Sequence, residues 1–151
     1  MKTIVIGLGS PLLTDDSVGL KVVQEVRRQV PADSGISVEE DVRGGLNLMD
    51  LLAGYDRAVI VDAIVTGAAP GTIHRLAPDD IPTQKSASQH DVNLPTALEL
   101  GRQLGMHLPD PANILLVGIE ADDILTFSEE CTPAVAAAIP RAVHVVLKAL
   151  D

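Results

Sequence analysis

Apolar residues along the chain form two patterns: continuous runs of strand length, and longer stretches with helical spacing. Continuous runs rich in Val, Ile and Leu occupy about 3–9, 58–64 and 112–119, and such runs are typical of strands buried on both faces of a sheet. Segments 36–42 and 72–76 mix apolar with polar residues. We therefore predict three central strands and two strands nearer the sheet edges.

Four helices are predicted between and after these strands. The first repeats valine every four residues from Val18 to Val30, and residues four positions apart lie on one side of a helix. This helix is expected to end at Pro31, because the residue before a proline disfavours helical conformation. The starts of the other three are marked by Asn47, by Asn93 before Pro95, and by Thr132 before Pro133. The apolar side of the third helix is expected to include Leu104.

Strands that alternate with helices form parallel sheets with right-handed crossovers, and the helices cover both faces. We therefore predict an α/β fold of three layers, with a twisted, mainly parallel five-stranded sheet in a single domain over 1–151. If the strand order begins 2-1-3, the helices after the first and third strands leave on opposite sides of the sheet. Ligands of such folds bind at that switch point, outside the carboxyl ends of the strands.

The amino-acid composition of the chain excludes several kinds of function. The formal net charge of −10 repels a phosphate backbone, and aromatic residues make up 1% of the chain, too few for base stacking, so no nucleic-acid partner is expected. Cys131 is the one cysteine, which rules out an intrachain disulfide. The sequence lacks a signal-peptide stretch and any apolar run of about 18 residues, so we expect a cytoplasmic protein without membrane insertion.

A glycine turn follows the first strand. Gly7 and Gly9 match the first two glycines of the dinucleotide-binding fingerprint, but Leu12 stands at the third glycine position. The acidic run 39–41 lies later than the acid that binds the ribose in that motif. A tight turn after a strand is therefore the favoured interpretation, with a nucleotide-binding domain as an alternative.

Carboxylates stand near the ends of two predicted strands. Asp15 and Asp16 precede the first helix, where the helix dipole favours negative charge, so either residue alone is explained as an ordinary helix-start charge. Asp62 interrupts an apolar run, and burying a carboxylate there is costly unless it gains a partner. Both a hydrogen-bonding role and a functional role stay open for Asp62.

His90 adds an imidazole to these carboxylates. It lies in the long polar segment 77–91, just before a predicted helix. The other histidines, interpreted as surface residues, are His74, His107 and His144. Asp16, Asp62 and His90 all fall at the carboxyl side of the predicted sheet. Two carboxylates and an imidazole suit a divalent ion such as Ni²⁺ or Zn²⁺, so we predict that these three side chains contact a metal.

Short motifs follow one another in a fixed order over nearly the whole chain. They are GLGSPLLTDDSVG at 7–19, VDAI at 61–64 with PGT at 70–72, SQHD at 88–91 leading into NLPTALEL, LLVGIE at 115–120, and TP at 132–133. Together these motifs resemble those of the nickel–iron hydrogenase maturation endopeptidases. The resemblance implies a twisted, mainly parallel sheet between helices, in agreement with the pattern of apolar residues.

The resemblance also implies an activity, that of an endopeptidase. Such enzymes remove a C-terminal extension from the hydrogenase large-subunit precursor after nickel has been inserted. The family's metal-contacting and catalytic groups correspond to Asp16, Asp62 and His90. Nickel then arrives with the substrate, which is the nickel-loaded precursor, and no permanently bound cofactor is expected.

A substrate-binding turn is implied after the second strand. The family's glycine-bearing turn corresponds to Asp41, Gly44 and Gly45, and the pair 42–43 interrupts the usual Asp-Gly pairing. Ser10 stands where asparagine is commoner in the family. Neither departure touches the three metal-contacting positions.

Two other functions stay open. A non-catalytic chaperone that senses the nickel state of a precursor uses the same binding residues without cutting. A nucleotide-binding Rossmann-like domain uses the glycine turn. Analysis of the reaction products separates the chaperone from a protease, and titration with nucleotides tests the third function.

Overall fold

The computed structural model describes residues 1–42, 46–80 and 94–151. The strands are β1 (Thr3–Leu8), β2 (Ile36–Asp41), β3 (Arg57–Ile64), β4 (Ile73–Leu76) and β5 (Ile114–Glu120). The helices are α1 (Val18–Gln29), α2 (Leu46–Leu52), α3 (Leu94–Gln103) and α4 (Pro133–Ala149). Short 3₁₀ turns occur at Thr14–Ser17, Pro78–Asp80 and Pro111–Asn113.

The five strands form one sheet in the order β2-β1-β3-β5-β4. β1 pairs in parallel with β2 and β3, and β3 pairs in parallel with β5. β4 pairs antiparallel with β5 at one edge of the sheet. The predicted mainly parallel five-stranded sheet is therefore confirmed, with both mixed segments at its edges.

Apolar cores lie on both faces of the sheet. On one face α1 and α4 pack through Val22, Val26, Val135 and Val146 onto Val5, Val59, Val61 and Val117. On the other face α2 and α3 pack through Leu48, Leu52, Leu94 and Leu98 onto Ile4, Ile6, Ile60 and Leu116. Because alternate residues of a strand point to opposite faces, each central strand contributes to both cores. The three-layer arrangement predicted from the sequence is confirmed.

The switch point lies between β1 and β3. The chain leaves β1 through α1 on one face, whereas the first α-helix after β3 is α3, which packs on the other face. The connections diverge at the carboxyl ends of β1 and β3, where ligands of open α/β sheets bind.

Two local predictions at helix ends are wrong. α2 begins at Leu46, so Asn47 lies inside the helix, and its Nδ2 donates to Asp41 Oδ1 at 3.1 Å instead of capping. Leu104 follows the last residue of α3 and is 65% exposed, because the chain turns there through Gly105. The predicted cap Asn93 lies outside the described residues. None of the described helices has the length and apolar content that crossing a membrane requires.

Candidate functional site at the switch point

The loop that follows β1 contains Gly9, and we call it the glycine loop. Asp16 lies in the 3₁₀ turn Thr14–Ser17, which connects this glycine loop to α1. Its side chain is buried, and its Oδ2 accepts a hydrogen bond from the Ser10 backbone N–H at 3.1 Å. The same N–H also approaches the Asp16 carbonyl oxygen at 3.3 Å. A backbone N–H group of the glycine loop, that of Ser10, therefore donates to the Asp16 carboxylate.

Two glycines allow close backbone approaches here, Gly9 to the turn of Asp16 and Gly19 to the sheet. Gly9 has φ +147°, and a Cβ atom there would overlap the Asp16 carbonyl oxygen. Gly19, in the first turn of α1, lies so close to the strands that a Cβ would be 2.5 Å from both Leu8 O and Val61 O. The start of α1 is thus seated directly on the ends of β1 and β3, three residues after Asp16.

Asp62 lies within β3 and is 9% exposed. It points to the same face as Ile60, since the two residues are separated by one position of a strand. On that face Asp62 lines an apolar recess of about 40 Å³ together with Leu8, Leu116 and Gly118. The carboxylate therefore stands beside an apolar recess at the carboxyl edge of the sheet.

The structure brings the segments that carry Asp16 and Asp62 to one edge of the sheet. The turn Thr14–Ser17 packs against β3, and Gly19 contacts Val61, the neighbour of Asp62. Burial of a carboxylate carries a free-energy cost, and two buried carboxylates at a switch point are typical of a functional site.

The remaining predicted site residues have different outcomes. Asp41 is buried at the end of β2, and its carbonyl oxygen accepts from the Gly9 N–H at 3.2 Å. Three further predicted residues, His90, Gly44 and Gly45, lie outside the described residues. Over residues 1–42, 46–80 and 94–151, no group of three or more His, Cys, Asp or Glu side chains is placed to hold a metal. The metal set predicted with His90 stays a prediction.

Asp15, next to Asp16, has a structural role. It is fully buried, and its carboxylate accepts from the backbone N–H groups of Asp122 and Asp123, each at 2.9 Å, and of Thr132 at 2.8 Å. The Thr132 hydroxyl donates to it as well. Asp15 therefore ties the turn that carries Asp16 to the segment before α4. The interpretation of Asp15 as an ordinary helix-start charge missed this role.

Thr14 begins the turn in a conformation that few side chains adopt. Its φ of +52° lies in the left-handed region, which is unfavourable for a β-branched residue. Two contacts hold it there: its Oγ1 donates to Thr126 O, and its N–H donates to Ser128 O at 3.0 Å. The segment 121–132 thus fixes the turn from outside.

Glu120 and His74 form a pair beside the site that sequence reasoning missed. Glu120 ends β5 and is 1% exposed, and it accepts from the Thr66 N–H at 2.7 Å and from the Thr66 hydroxyl at 2.5 Å. His74 Nε2 lies 3.2 Å from Glu120 Oε1. His74 is half-buried on β4, and its interpretation as a surface residue missed this partner, whereas His107 and His144 are exposed as predicted.

The Glu120 carboxyl is stabilised in its charged form. Burial by itself raises the pKa of Glu120, but the hydrogen bonds from Thr66 and His74 outweigh burial and lower that pKa below its ordinary value. The one available signal in the sequence was the position of Glu120 at the end of an apolar run, the same signal that singled out Asp62.

This geometry disfavours a nucleotide at the glycine loop. In dinucleotide-binding folds the loop amides face a pyrophosphate. Here the Ser10 N–H faces the Asp16 carboxylate, and the Gly9 N–H donates to the Asp41 carbonyl oxygen. Two backbone donors that a phosphate would require are therefore already bonded to oxygen atoms of this chain. The fold and site define an open α/β protein that presents buried carboxylates, rather than a phosphate cradle, at its switch point.

Comparison with known proteins identifies the family. The family described as HycI, hydrogenase maturation protease, matches residues 42–149. The solved structure of the hydrogenase maturating endopeptidase HybD from Escherichia coli superimposes with a TM-score of 0.84 at 30% sequence identity. That match covers 99% of this chain and 92% of HybD. The chain belongs to the hydrogenase maturation protease family.

Two relatives of known sequence agree with this assignment. The hydrogenase 2 maturation protease of Escherichia coli K12 is 29% identical over 153 residues, which cover 99% of this chain and 91% of that protein. The hydrogenase expression/formation protein HupD of Thiocapsa roseopersicina is 27% identical over 97% of this chain. The match spans 66% of the length of HupD.

Proposed function

We propose that this protein is an endopeptidase that removes the C-terminal extension from the large-subunit precursor of a nickel–iron hydrogenase after nickel insertion. The family match and the similarity to the Escherichia coli endopeptidase HybD support a protease in hydrogenase maturation. The observation that carries the proposal is the pair of buried carboxylates, Asp16 and Asp62, at the switch point of this fold. The cytoplasm, where precursors are made, is the proposed location.

The nickel of the substrate is the proposed recognition element. Asp16, Asp62 and His90 contact Ni²⁺ that is already bound in the precursor, so the enzyme carries no permanent metal. A carboxylate and imidazole ligand set suits Ni²⁺ and leaves coordination positions for the substrate. Such an ion polarises the scissile carbonyl or lowers the pKa of an attacking water. Asp41, Gly44 and Gly45 contact the polypeptide beside the metal.

The test is incubation of the protein with nickel-loaded and with nickel-free precursor, followed by intact mass spectrometry. We expect a C-terminally shortened product from the nickel-loaded precursor alone. Asp16→Asn, Asp62→Asn and His90→Ala are each expected to lower the cleavage rate by at least about 100-fold, since each removes a group that acts at the reacting centre. Asp33→Asn, an exposed carboxylate after α1, is the matched control and retains the wild-type rate.

Two outcomes contradict the proposal in different ways. Binding of the nickel-loaded precursor without any mass change identifies a nickel-sensing chaperone instead of a protease. Equal cleavage of nickel-loaded and nickel-free precursor shows that a peptidase is present but that nickel is not recognised. Full cleavage by all three variants excludes the proposed site.

A further inference from the structure

Large apolar side chains are exposed on two loops beside Asp16. Leu12 is 52% exposed, Leu125 is 81% exposed, and Phe127, the one phenylalanine of the chain, is also 81% exposed. We refer to Leu12, Leu125 and Phe127 as the loop patch. Exposed apolar groups that cluster on a soluble protein mark interaction sites, whereas single ones are common anywhere.

The backbone places two members of the loop patch side by side. Leu13 and Ser128 form a parallel β-bridge, in which the Ser128 N–H donates to Leu12 O at 2.9 Å. In this register Leu12 stands next to Phe127, and neighbouring residues of paired chains project to the same side. The exposed leucine and phenylalanine side chains therefore project to the same side of this bridge.

The loop that carries Leu125 and Phe127 is fixed by hydrogen bonds. Asp123 Oδ1 accepts from the backbone N–H groups of Leu125 at 2.9 Å and of Thr126 at 3.0 Å. Asp15 holds the start and the end of this loop, as described above. The loop patch is therefore presented in a defined conformation, which lowers the entropy lost when a partner binds.

One member of the loop patch, Leu12, also lies on the same backbone loop as Asp16 of the proposed reacting centre. Leu12 precedes Asp16 by four residues, and the turn Thr14–Ser17 is bonded to Ser128. The loop patch is therefore joined by backbone hydrogen bonds to the turn that carries Asp16. Exposed acidic residues, Asp122, Glu129 and Glu130, border the patch.

We infer that the loop patch docks the folded body of the hydrogenase precursor, through an apolar surface flanked by basic residues. The inference rests on the proposed function and deepens it, because it assigns a protein-docking surface in addition to the metal contacts. Phenylalanine is enriched in the centres of protein interfaces, and the acidic border favours a basic rim on the partner. Docking of this kind increases affinity for the precursor without taking part in bond cleavage.

The experiment compares steady-state cleavage of nickel-loaded precursor by the wild type, Leu12→Ser, Phe127→Ser and the double variant. We expect each single variant to raise KM by about 5- to 10-fold and the double variant to raise it further, with kcat changed by less than about 2-fold. Leu104→Ser is the matched control, since Leu104 is a 65% exposed leucine that follows α3 and lies outside the loop patch. Its KM should equal that of the wild type.

A second readout does not depend on cleavage. A photoreactive benzoyl-phenylalanine placed at position 127 should crosslink to the precursor, whereas the same group at position 104 should not. Absence of a crosslink at 127, or unchanged KM in the double variant, overturns the inference while the wild type still cleaves. Failure of the wild type to cleave any precursor instead contradicts the proposed function. A wild-type dimer that Phe127→Ser dissociates in sedimentation assigns the patch to a second copy, which also overturns the inference.

Discussion

Asp15 and Asp16 are neighbours in the sequence but serve different parts of the molecule. Asp15 binds the backbone of the segment 121–132, more than one hundred residues away, and Asp16 accepts from the glycine loop. Both carboxylates are buried. Asp15 fixes the turn, and Asp16 lies at the switch point between β1 and β3.

Replacement of Asp15 by asparagine should destabilise the fold. The asparagine keeps one oxygen, so its NH₂ group faces a backbone N–H that had been bonded to the carboxylate. Hydrogen bonds to charged groups are worth about 1.5–3 kcal/mol each, and we expect Asp15→Asn to lower the free energy of unfolding by about 2–3 kcal/mol. Urea denaturation followed by circular dichroism measures this difference.

Asp33→Asn serves as the control for Asp15→Asn. Asp33 is an exposed aspartate after α1, so its replacement should change the free energy of unfolding by less than about 0.5 kcal/mol. Equal stability of the two variants contradicts the structural role given to Asp15.

At the residue scale, the positions of the site carboxylates could be predicted from the sequence, but their hydrogen-bond partners could not. Asp16 and Asp62 were predicted as site residues because each follows or interrupts an apolar strand. The role of Asp15 could not be predicted, because its donors are contributed by a segment that folds back onto the turn. The Glu120–His74 pair was missed for the same reason, since 46 residues separate its members and the β4–β5 register brings them together.

At the element scale, the position of α1 depends on one glycine. Gly19 lets the first turn of α1 contact the carbonyl oxygens of Leu8 and Val61. Backbone atoms are the obstacle to any larger residue there, and they cannot rotate away as the end of a side chain can. The close packing of α1 on the strand ends, and with it the location of Asp16, therefore depends on the absence of a side chain at residue 19.

Gly19→Ala should destabilise the protein in spite of the better helix propensity of alanine. The propensity gain is about 1 kcal/mol, whereas overpacking in a close-packed site costs about 1–3 kcal/mol. We expect the clash to outweigh the gain, with a lower denaturation midpoint and a reduced cleavage rate. Chemical denaturation and the precursor assay measure the two effects.

Gly101→Ala is the matched control, because Gly101 is also a helical glycine, in α3. A Cβ there meets the side chains of Leu108 and Met49, which can adjust. The Leu108 Cδ1 atom, 2.4 Å from that Cβ, must move, so we expect Gly101→Ala to lose less stability than Gly19→Ala. A Gly19→Ala variant as stable as Gly101→Ala contradicts the seating described for α1.

Element types were predictable, and element ends were less so. The three central strands were recognised by their apolar runs, because buried parallel strands exclude polar residues over most of their length. Asn47 was misplaced as a cap because the Asp41 carboxylate, which lies on a neighbouring strand end, bonds its side chain instead. Leu104 was misplaced because helical spacing continues in the sequence after the helix has ended.

At the scale of the whole molecule, one buried carboxylate joins three parts of the sheet. Glu120 of β5 binds Thr66, which follows β3, and His74 of β4. Its folded-state pKa is lowered from the ordinary value of 4.5. A lowered pKa means that the stabilisation is present above pH 4.5 and is lost as the pH falls through the folded-state pKa.

Glu120→Gln should therefore reduce the dependence of the free energy of unfolding on pH in the acidic range. We expect a variant that is less stable than the wild type at pH 7, and whose free energy of unfolding falls less steeply below pH 4.5. Urea denaturation at a series of pH values measures both. Glu99→Gln, an exposed control on α3, should follow the wild-type profile. Parallel profiles for Glu120→Gln and the wild type contradict this linkage.

The two outer strands also bear on how the protein behaves in a crowded solution. β2 presents Glu39 and Glu40 to solvent, and β4 is four residues long with Arg75 exposed. Short or charged outer strands hinder edge-to-edge pairing with a strand of another chain and so oppose fibril growth. Phe127 is exposed on a loop outside the five strands, so this apolar side chain does not add to the strand edges at which another chain could pair.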